Sequence, residues 1–210
     1  MRQHLGIALI AVLILLAQCS WAQQKNEVAG IFGRTFVSHQ TVPGTNFVGN
    51  TVAFGDGIAF EGNYARLLKG GDRASLSVEV PVMFIVDQDL NYGLNVIPEG
   101  YRAYFVTPSA RVKLFPNAPI NPWFSFGGGF AHFSESSTLV FGGPNPGKTG
   151  NTTGVLQFGA GADIRIMEHF SVRGEVRDFY SGVPQLNVNT GKSRQNNLFV
   201  GVGIVWHIGH

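Results

Sequence analysis

Apolar and polar residues alternate with a period of two along much of this chain, and that rhythm leaves few folds open. In a strand, successive side chains point to opposite faces, whereas a helix groups residues three and four apart. Leu76, Val78, Val80, Val82 and Phe84 alternate with Ser75, Ser77, Glu79 and Pro81. Leu156, Phe158, Ala160, Ala162, Ile164 and Ile166 alternate with Gln157, Gly159, Gly161, Asp163 and Arg165, and Phe170, Val172, Gly174 and Val176 with Ser171, Arg173, Glu175 and Arg177. No amphipathic helical stretch competes, so the chain reads as all-β. Strands are expected near residues 27–37, 57–67, 73–85, 103–115, 122–133, 153–166, 169–180 and 197–208.

These segments exceed the roughly five or six residues of an ordinary globular strand. They match the length of tilted strands that cross a bilayer, about 9–11 residues. The connections alternate in length: 38–56, 86–102, 134–152 and 181–196 are long and rich in Gly, Asn, Pro and Thr, while 68–72, 116–121 and 167–168 are short. The expected architecture is an eight-stranded antiparallel up-and-down transmembrane β-barrel spanning residues 23–210 as one domain. Only 13% of residues are charged and 28 are Gly, against about 25% charged in a typical soluble protein. A surface that faces lipid accounts for the deficit, and a closed barrel satisfies every backbone donor there without an exposed edge.

The less apolar face carries Ser, Gly, Thr and Gln with charges of both signs: Glu61, Glu79, Asp163 and Glu175 beside Arg111, Lys113, Arg165, Arg173 and Arg177. A soluble barrel would need that face studded with charge to stay in water. Four acids against five bases suit pairing inside a narrow barrel, with Arg173, Glu175 and Arg177 as an interior ion-pair ladder. Phe115, Trp123, Phe170 and Trp206 fall beside the short turns or the chain end, and Tyr104 and Tyr180 toward the long loops, as two interfacial aromatic girdles would require. Pro81 and Pro108 interrupt this pattern inside expected strands. Each calls for a bulge or a different strand boundary.

The N-terminus reads as a secretory signal peptide over residues 1–22. Arg2 precedes an apolar run from Ile7 to Ala17 and the small-residue stretch Ser20-Trp21-Ala22. The run is too short to span a membrane as a helix, which takes roughly 20 residues, so cleavage is expected after Ala22. Cys19 opens a second reading, because Leu16-Ala17-Gln18-Cys19 looks like a lipid-attachment box, although Gln18 stands where that box needs a small residue. Cleavage after Ala22 would leave no cysteine for disulfides, thiol catalysis or metal ligation.

Motifs suggestive of chemistry are weak. Gly142 to Thr149 has the spacing of a phosphate-binding loop, but a strand follows where a helix is needed, and two prolines remove amide donors. Asn151-Thr152-Thr153 fits a glycosylation triplet and carries no further signal of chemistry. His39, His132, His169, His207 and His210 show no metal-ligand spacing, so no metal and no cofactor are expected. There is no basic tract for nucleic acid, with 15 Lys and Arg against 13 Asp and Glu.

Three stretches carry a family likeness. They are Phe126-Gly127-Gly128-Gly129-Phe130-Ala131-His132-Phe133, the segments Gly159-Ala160-Gly161-Ala162-Asp163 and Arg173-Gly174-Glu175-Val176-Arg177-Asp178, and the closing Gly203-Ile204-Val205-Trp206-His207-Ile208. In these the chain resembles the small outer-membrane β-barrels, the group that includes the OmpA transmembrane domain, OmpX and the opacity-type proteins. The closing segment looks like the terminal strand signal read by the barrel-assembly machinery, though it ends in Gly209-His210 rather than an aromatic residue. The resemblance implies residence in the outer membrane of a Gram-negative-type bacterium, with the lipid bilayer and the assembly machinery as partners.

A non-enzymatic barrel is expected, with a side-chain-filled interior and long loops (38–56, 134–152, 181–196) that contact an extracellular ligand for adhesion, envelope integrity or ligand capture. A narrow porin-like channel and a secreted lipocalin-like carrier remain as alternatives. A membrane-embedded enzyme acting on lipid is a further reading, for which no Ser–His or Asp–His constellation can be placed on one rim.

Overall fold

A computed structural model of the chain describes residues 26–37, 40–41, 51–52, 57–88, 100–139, 142–184, 186 and 192–208. The expected signal peptide and Cys19 lie outside the described residues. Strand β1 is Asn26–Val37, β2 Gly57–Lys69, β3 Ala74–Gln88, β5 Ile120–Glu135, β6 Gly150–Arg165, β7 Phe170–Gly182 and β8 Arg194–Ile208. The fourth strand, β4, runs as two pieces, Tyr101–Val106 and Ser109–Leu114. Each strand pairs antiparallel with its neighbours in sequence. The circle closes where β8 returns to β1, from Asn26 opposite Ile208 to Val37 opposite Asn197. This is an up-and-down barrel of eight strands.

Strands reach further into the long connections than the alternation suggested. β5 continues to Glu135 and β6 starts at Gly150, which shortens the 134–152 connection at both ends. β7 extends to Gly182 and β8 starts at Arg194, so 181–196 shrinks likewise. Within 38–56, Gln40–Thr41 pairs with Thr51–Val52. Residues 136–139 and 142–149 fold against each other. Leu139 N donates to Gly143 O (3.1 Å), Gly142 N to Leu139 O (2.8 Å) and Asn145 N to Ser137 O (2.8 Å), and Gly142 and Gly143 take φ of 87° and 95°. That hairpin occupies the phosphate-loop-like stretch and leads straight into β6.

Neither proline is absorbed by a bulge. Val106 faces Phe130 and Ser109 faces Gly127, so the β4–β5 register is the same on both sides of Pro108. Pro81 keeps its place opposite Asn63, and its carbonyl accepts from Thr107 N at 3.3 Å. The ladder simply omits the donors that proline lacks. At the same point Gly129 lies so close to Val106 that a Cβ would sit 1.9 Å from the Val106 carbonyl oxygen, so the strands close over the gap.

Short turns gather at the end where β1 begins. In the turn after β4, Phe115 adopts φ of 49°, a conformation that costs a bulky residue. The Asn121 amide holds it, donating to the Phe115 and Ala118 carbonyls at 2.5 and 2.9 Å.

The outward face has the opposite polarity to a soluble protein. Every strand contributes exposed apolar side chains: Phe32, Phe60, Phe84, Val112, Phe124, Phe158, Val176 and Val202 stand between 41% and 60% exposed. An apolar belt that encircles a molecule belongs in hydrocarbon and not in water, which argues against a lipocalin-like carrier. Phe170 and Trp206 stack at 6.4 Å near the short-turn rim. Toward the long loops, Tyr104 packs on Phe130 at 6.3 Å and on His132 at 5.2 Å. Trp123, expected in the girdle, points inward instead and is fully buried. It shares its face of β5 with Asn121 and Ser125, and that parity outranks its nearness to a turn.

Candidate functional site

The barrel interior is stratified. Toward the short turns, Asp163 binds the Arg173 guanidinium through Nε (2.7 Å) and Nη2 (2.9 Å), and Lys113 Nζ at 2.9 Å. Glu27 contacts Arg111, Lys113 Nζ (2.7 Å) and Arg173 Nη2 (3.5 Å). At mid-height Arg177 is a hub for three carboxylates: Glu79 at 2.7 Å, Glu175 at 2.9 Å and Glu61 at 3.2 Å. Arg111 joins the two layers by reaching Glu79 at 3.3 Å, and Asn63 donates to Glu79 at 3.0 Å. Charge-assisted, forked contacts of this kind are the stronger hydrogen bonds a protein makes.

Trp123 fills the space between the layers. The guanidinium carbons of Arg111, Arg173 and Arg177 lie 5.8, 5.1 and 5.0 Å from its ring, and its indole N–H donates to Asp163 Oδ1 at 3.3 Å. Gly161 makes room for the ring, since a Cβ there would fall 2.6 Å from it. Valine at position 161 should therefore lower the unfolding midpoint by the equivalent of about 1–3 kcal/mol. Urea titration of the barrel in lipid vesicles, read from tryptophan fluorescence, checks this.

The long-loop half of the interior holds an aromatic layer that the alternation of the sequence did not reveal. Tyr101, Phe105, Phe133, Phe179 and Phe199 are fully buried, with Met83, Ile85 and Ile31 around them. Phe105 meets Phe179 at 5.2 Å and Phe133 edge-on at 5.7 Å. Above them Asn197 Nδ2 donates to Phe179 O (2.7 Å) and Ser181 Oγ (3.0 Å).

Of the nine charged residues singled out from sequence, eight meet inside: Glu61, Glu79, Arg111, Lys113, Asp163, Arg173, Glu175 and Arg177. Arg165 does not. It is exposed at the short-turn rim, where its Nη2 donates to Pro116 O at 3.0 Å, because β6 ends there and its side chain has left the lumen. Alanine at Arg165 should change stability by no more than about 0.5 kcal/mol, measurable by the same titration. Arg173 and Arg177 also do not share Glu175 as a simple ladder. Arg173 turns to Asp163 and Glu27, and Arg177 to Glu61, Glu79 and Glu175.

Glu27 was missed, although it shares the inward parity of Ala29 and Ile31 on β1. Its entry and the exit of Arg165 reverse the expected balance. Five acids (Glu27, Glu61, Glu79, Asp163, Glu175) now face four bases (Arg111, Lys113, Arg173, Arg177).

The structure also assembles a Ser–His–acid contact that spacing alone could not place on one rim. Ser171 Oγ lies 2.9 Å from His207 Nε2, and His207 Nδ1 lies 3.4 Å from Glu27 Oε1. The three come from β7, β8 and β1, far apart in sequence. Ser171 is only 2% exposed, and Glu27 is committed to three bases. The contact ties β7, β8 and β1 together in the short-turn layer. A polar cavity of about 420 Å³ opens beside it at the short-turn end, lined by Glu27, Asp72, Lys113, Asn121, Arg165 and His207 among others. Among the described residues no His, Cys, Asp or Glu group has the arrangement to hold a metal ion.

No family model matches the chain, and no curated protein matches it by sequence. Its likeness to solved structures is in fold. The outer membrane protein OprG of Pseudomonas aeruginosa superposes with a TM-score of 0.53 at 14% identity, over 89% of this chain and 96% of that one. The Neisserial surface protein A (NspA) gives 0.51 at 12% identity, over 88% and 97%. The fold is that of the small outer-membrane β-barrels.

Proposed function

We propose that this barrel sits in the outer membrane of a Gram-negative-type bacterium as a non-enzymatic, non-conducting platform that acts through its long loops. The observation that carries this reading is the filled interior. Two layers of ion pairs, Trp123 and an aromatic layer occupy the lumen in succession. An eight-stranded barrel has just enough internal width for such side chains. With the lumen committed to packing, what remains to meet other molecules is the lipid-facing belt and the two ends. The connections 38–56, 134–152 and 181–196 then supply the surface for an extracellular ligand in adhesion, envelope integrity or ligand capture.

Assembly fits the same reading. β8 is the strand that closes the barrel against β1, and its Gly203 to Ile208 stretch resembles a terminal strand signal, so the assembly machinery would engage it before closure.

Deleting residues 137–148, between the last residues of β5 and the first of β6, tests the loop assignment. The shortened protein should still migrate as a heat-modifiable barrel in outer-membrane fractions while losing surface attachment. Full attachment by strains lacking each long loop in turn would refute the reading.

A further inference from the structure

The central layer of the lumen holds more acid than its hub can serve. A guanidinium carries five N–H hydrogens, and those of Arg177 are all engaged. Nε donates to Glu175 Oε1 (2.9 Å), Nη1 to Glu79 Oε1 (2.7 Å) and Ser125 Oγ (3.3 Å), and Nη2 to Glu175 Oε2 (3.2 Å) and Glu79 Oε2 (3.4 Å). Glu61 is left with proximity alone. Its Oε2 lies 3.2 Å from Arg177 Nε, whose single hydrogen goes to Glu175. Both Glu61 oxygens are buried without a hydrogen-bond donor among the described residues.

The neighbouring strands do not relieve it. Glu61 stands in the ladders between Ile31 on β1 and Met83 on β3, both buried and apolar. Arg111 on β4 turns to Glu79 and Glu27. The residues paired with Arg111, Glu175 and Arg177, which are Ser125 on β5, Gly159 on β6, and Gly201 and Phe199 on β8, bear no charge. Lys113, Asp163, Arg173, Glu27 and His207 pair among themselves in the layer nearer the short turns. What does lie within hydrogen-bond reach of Glu61 is the carboxyl group of Glu175. A buried carboxylate without donors neutralises rather than stay charged, and two carboxyl groups in contact hold one proton between them.

We propose that Glu61 is a proton-binding site, its carboxyl protonated in the folded barrel and donating to the Glu175 carboxylate. The acid then supplies the donor that its position lacks. With that proton in place the two charged layers hold four carboxylates, Glu27, Glu79, Asp163 and Glu175, against four bases, Arg111, Lys113, Arg173 and Arg177. The proton is taken up as the chain folds, because a glutamate in an unfolded chain is ionised above about pH 4.3. A proton bound by the folded state and not by the unfolded one makes stability fall as pH rises. Closure of the barrel is thereby linked to pH through a single interior side chain.

Infrared spectra of the full-length barrel in lipid vesicles at neutral pH test this. Wild type should show the carbonyl stretch of a protonated carboxylic acid. Glu61→Gln, whose amide can make the same bond to Glu175, should lose that intensity while remaining a heat-modifiable barrel. No such band in wild type, or a band that Glu61→Gln leaves unchanged, would overturn the proposal. Urea titration gives a second readout. Between about pH 6 and 8 the unfolding constant of wild type should rise about tenfold more per pH unit than that of Glu61→Gln, the signature of one proton. Parallel pH dependences would overturn the proposal as well. Should Glu61→Gln not close, Glu175→Gln takes its place. It frees an Arg177 hydrogen for Glu61 and removes the adjoining charge, so Glu61 should ionise and the band should disappear, and its persistence would count against the shared proton.

Discussion

Replacing Arg177 with methionine should destabilise the barrel by about 3–5 kcal/mol, the range found when one partner of a buried ion pair is removed. Methionine roughly keeps the volume, so the effect isolates the charge. Arg177 is fully buried and is the nearest base to three carboxylates, Glu61, Glu79 and Glu175. Without it Arg111, 3.3 Å from Glu79, is the base left to offset them among the described residues. The variant should show a clearly lower midpoint in urea titration from lipid vesicles, and a heat-modifiable band that unfolds at lower temperature. Removing Glu175 instead, as Glu175→Gln, takes away one of three crowded acids and leaves Arg177 paired, so the expected loss is smaller. An unchanged midpoint for Arg177→Met would show that the central layer contributes nothing to closure.

Truncating Trp123 to alanine should be as damaging, again about 3–5 kcal/mol for a large aromatic in a packed interior. Here the loss has three parts. The ring leaves a cavity beside Gly161, Asp163 loses the indole N–H, and Arg111, Arg173 and Arg177 lose the aromatic face they surround. Phenylalanine at the same position restores much of the volume and a π face but not the donor, so it should recover most of the stability. The same unfolding titration, followed by circular dichroism because the tryptophan reporter is altered, separates the two variants. Equal losses for alanine and phenylalanine would assign the effect to the single hydrogen bond with Asp163.

The barrel was legible in the sequence because membrane strands write their two faces in different alphabets. On β3, β6 and β7 the period-two pattern grouped Glu79, Asp163, Arg173, Glu175 and Arg177 on one face, and the make-up of that face, few charges of both signs among small polar residues, turned it inward. Where both faces are apolar the pattern is silent, and there the reading stopped short. Phe179 and Phe199 point inward on strands whose outward neighbours include Tyr180, Leu198 and Val200, so the aromatic layer of the long-loop half carried no polarity signal. Trp123 was drawn to the girdle by its closeness to a turn, although Asn121 and Ser125 at the same parity mark its face as internal. Arg165 illustrates the reverse case. Its parity with Asp163 is inward, but the strand ends there and a long side chain escapes to the rim. The Ser171–His207–Glu27 contact could not be read from spacing, because it depends on closure of β8 against β1 and β7. Pro108 looked like a fault in the fourth strand and proved to be a pause in the ladder without a slip in register.

The most direct test of the occluded lumen is planar-bilayer recording on purified protein whose closure has been verified by heat modifiability. The filled interior predicts a quiet membrane with no discrete conductance steps over the applied voltage range. Reproducible steps of uniform size from the wild-type barrel would contradict it and return the function from the loops to the pore.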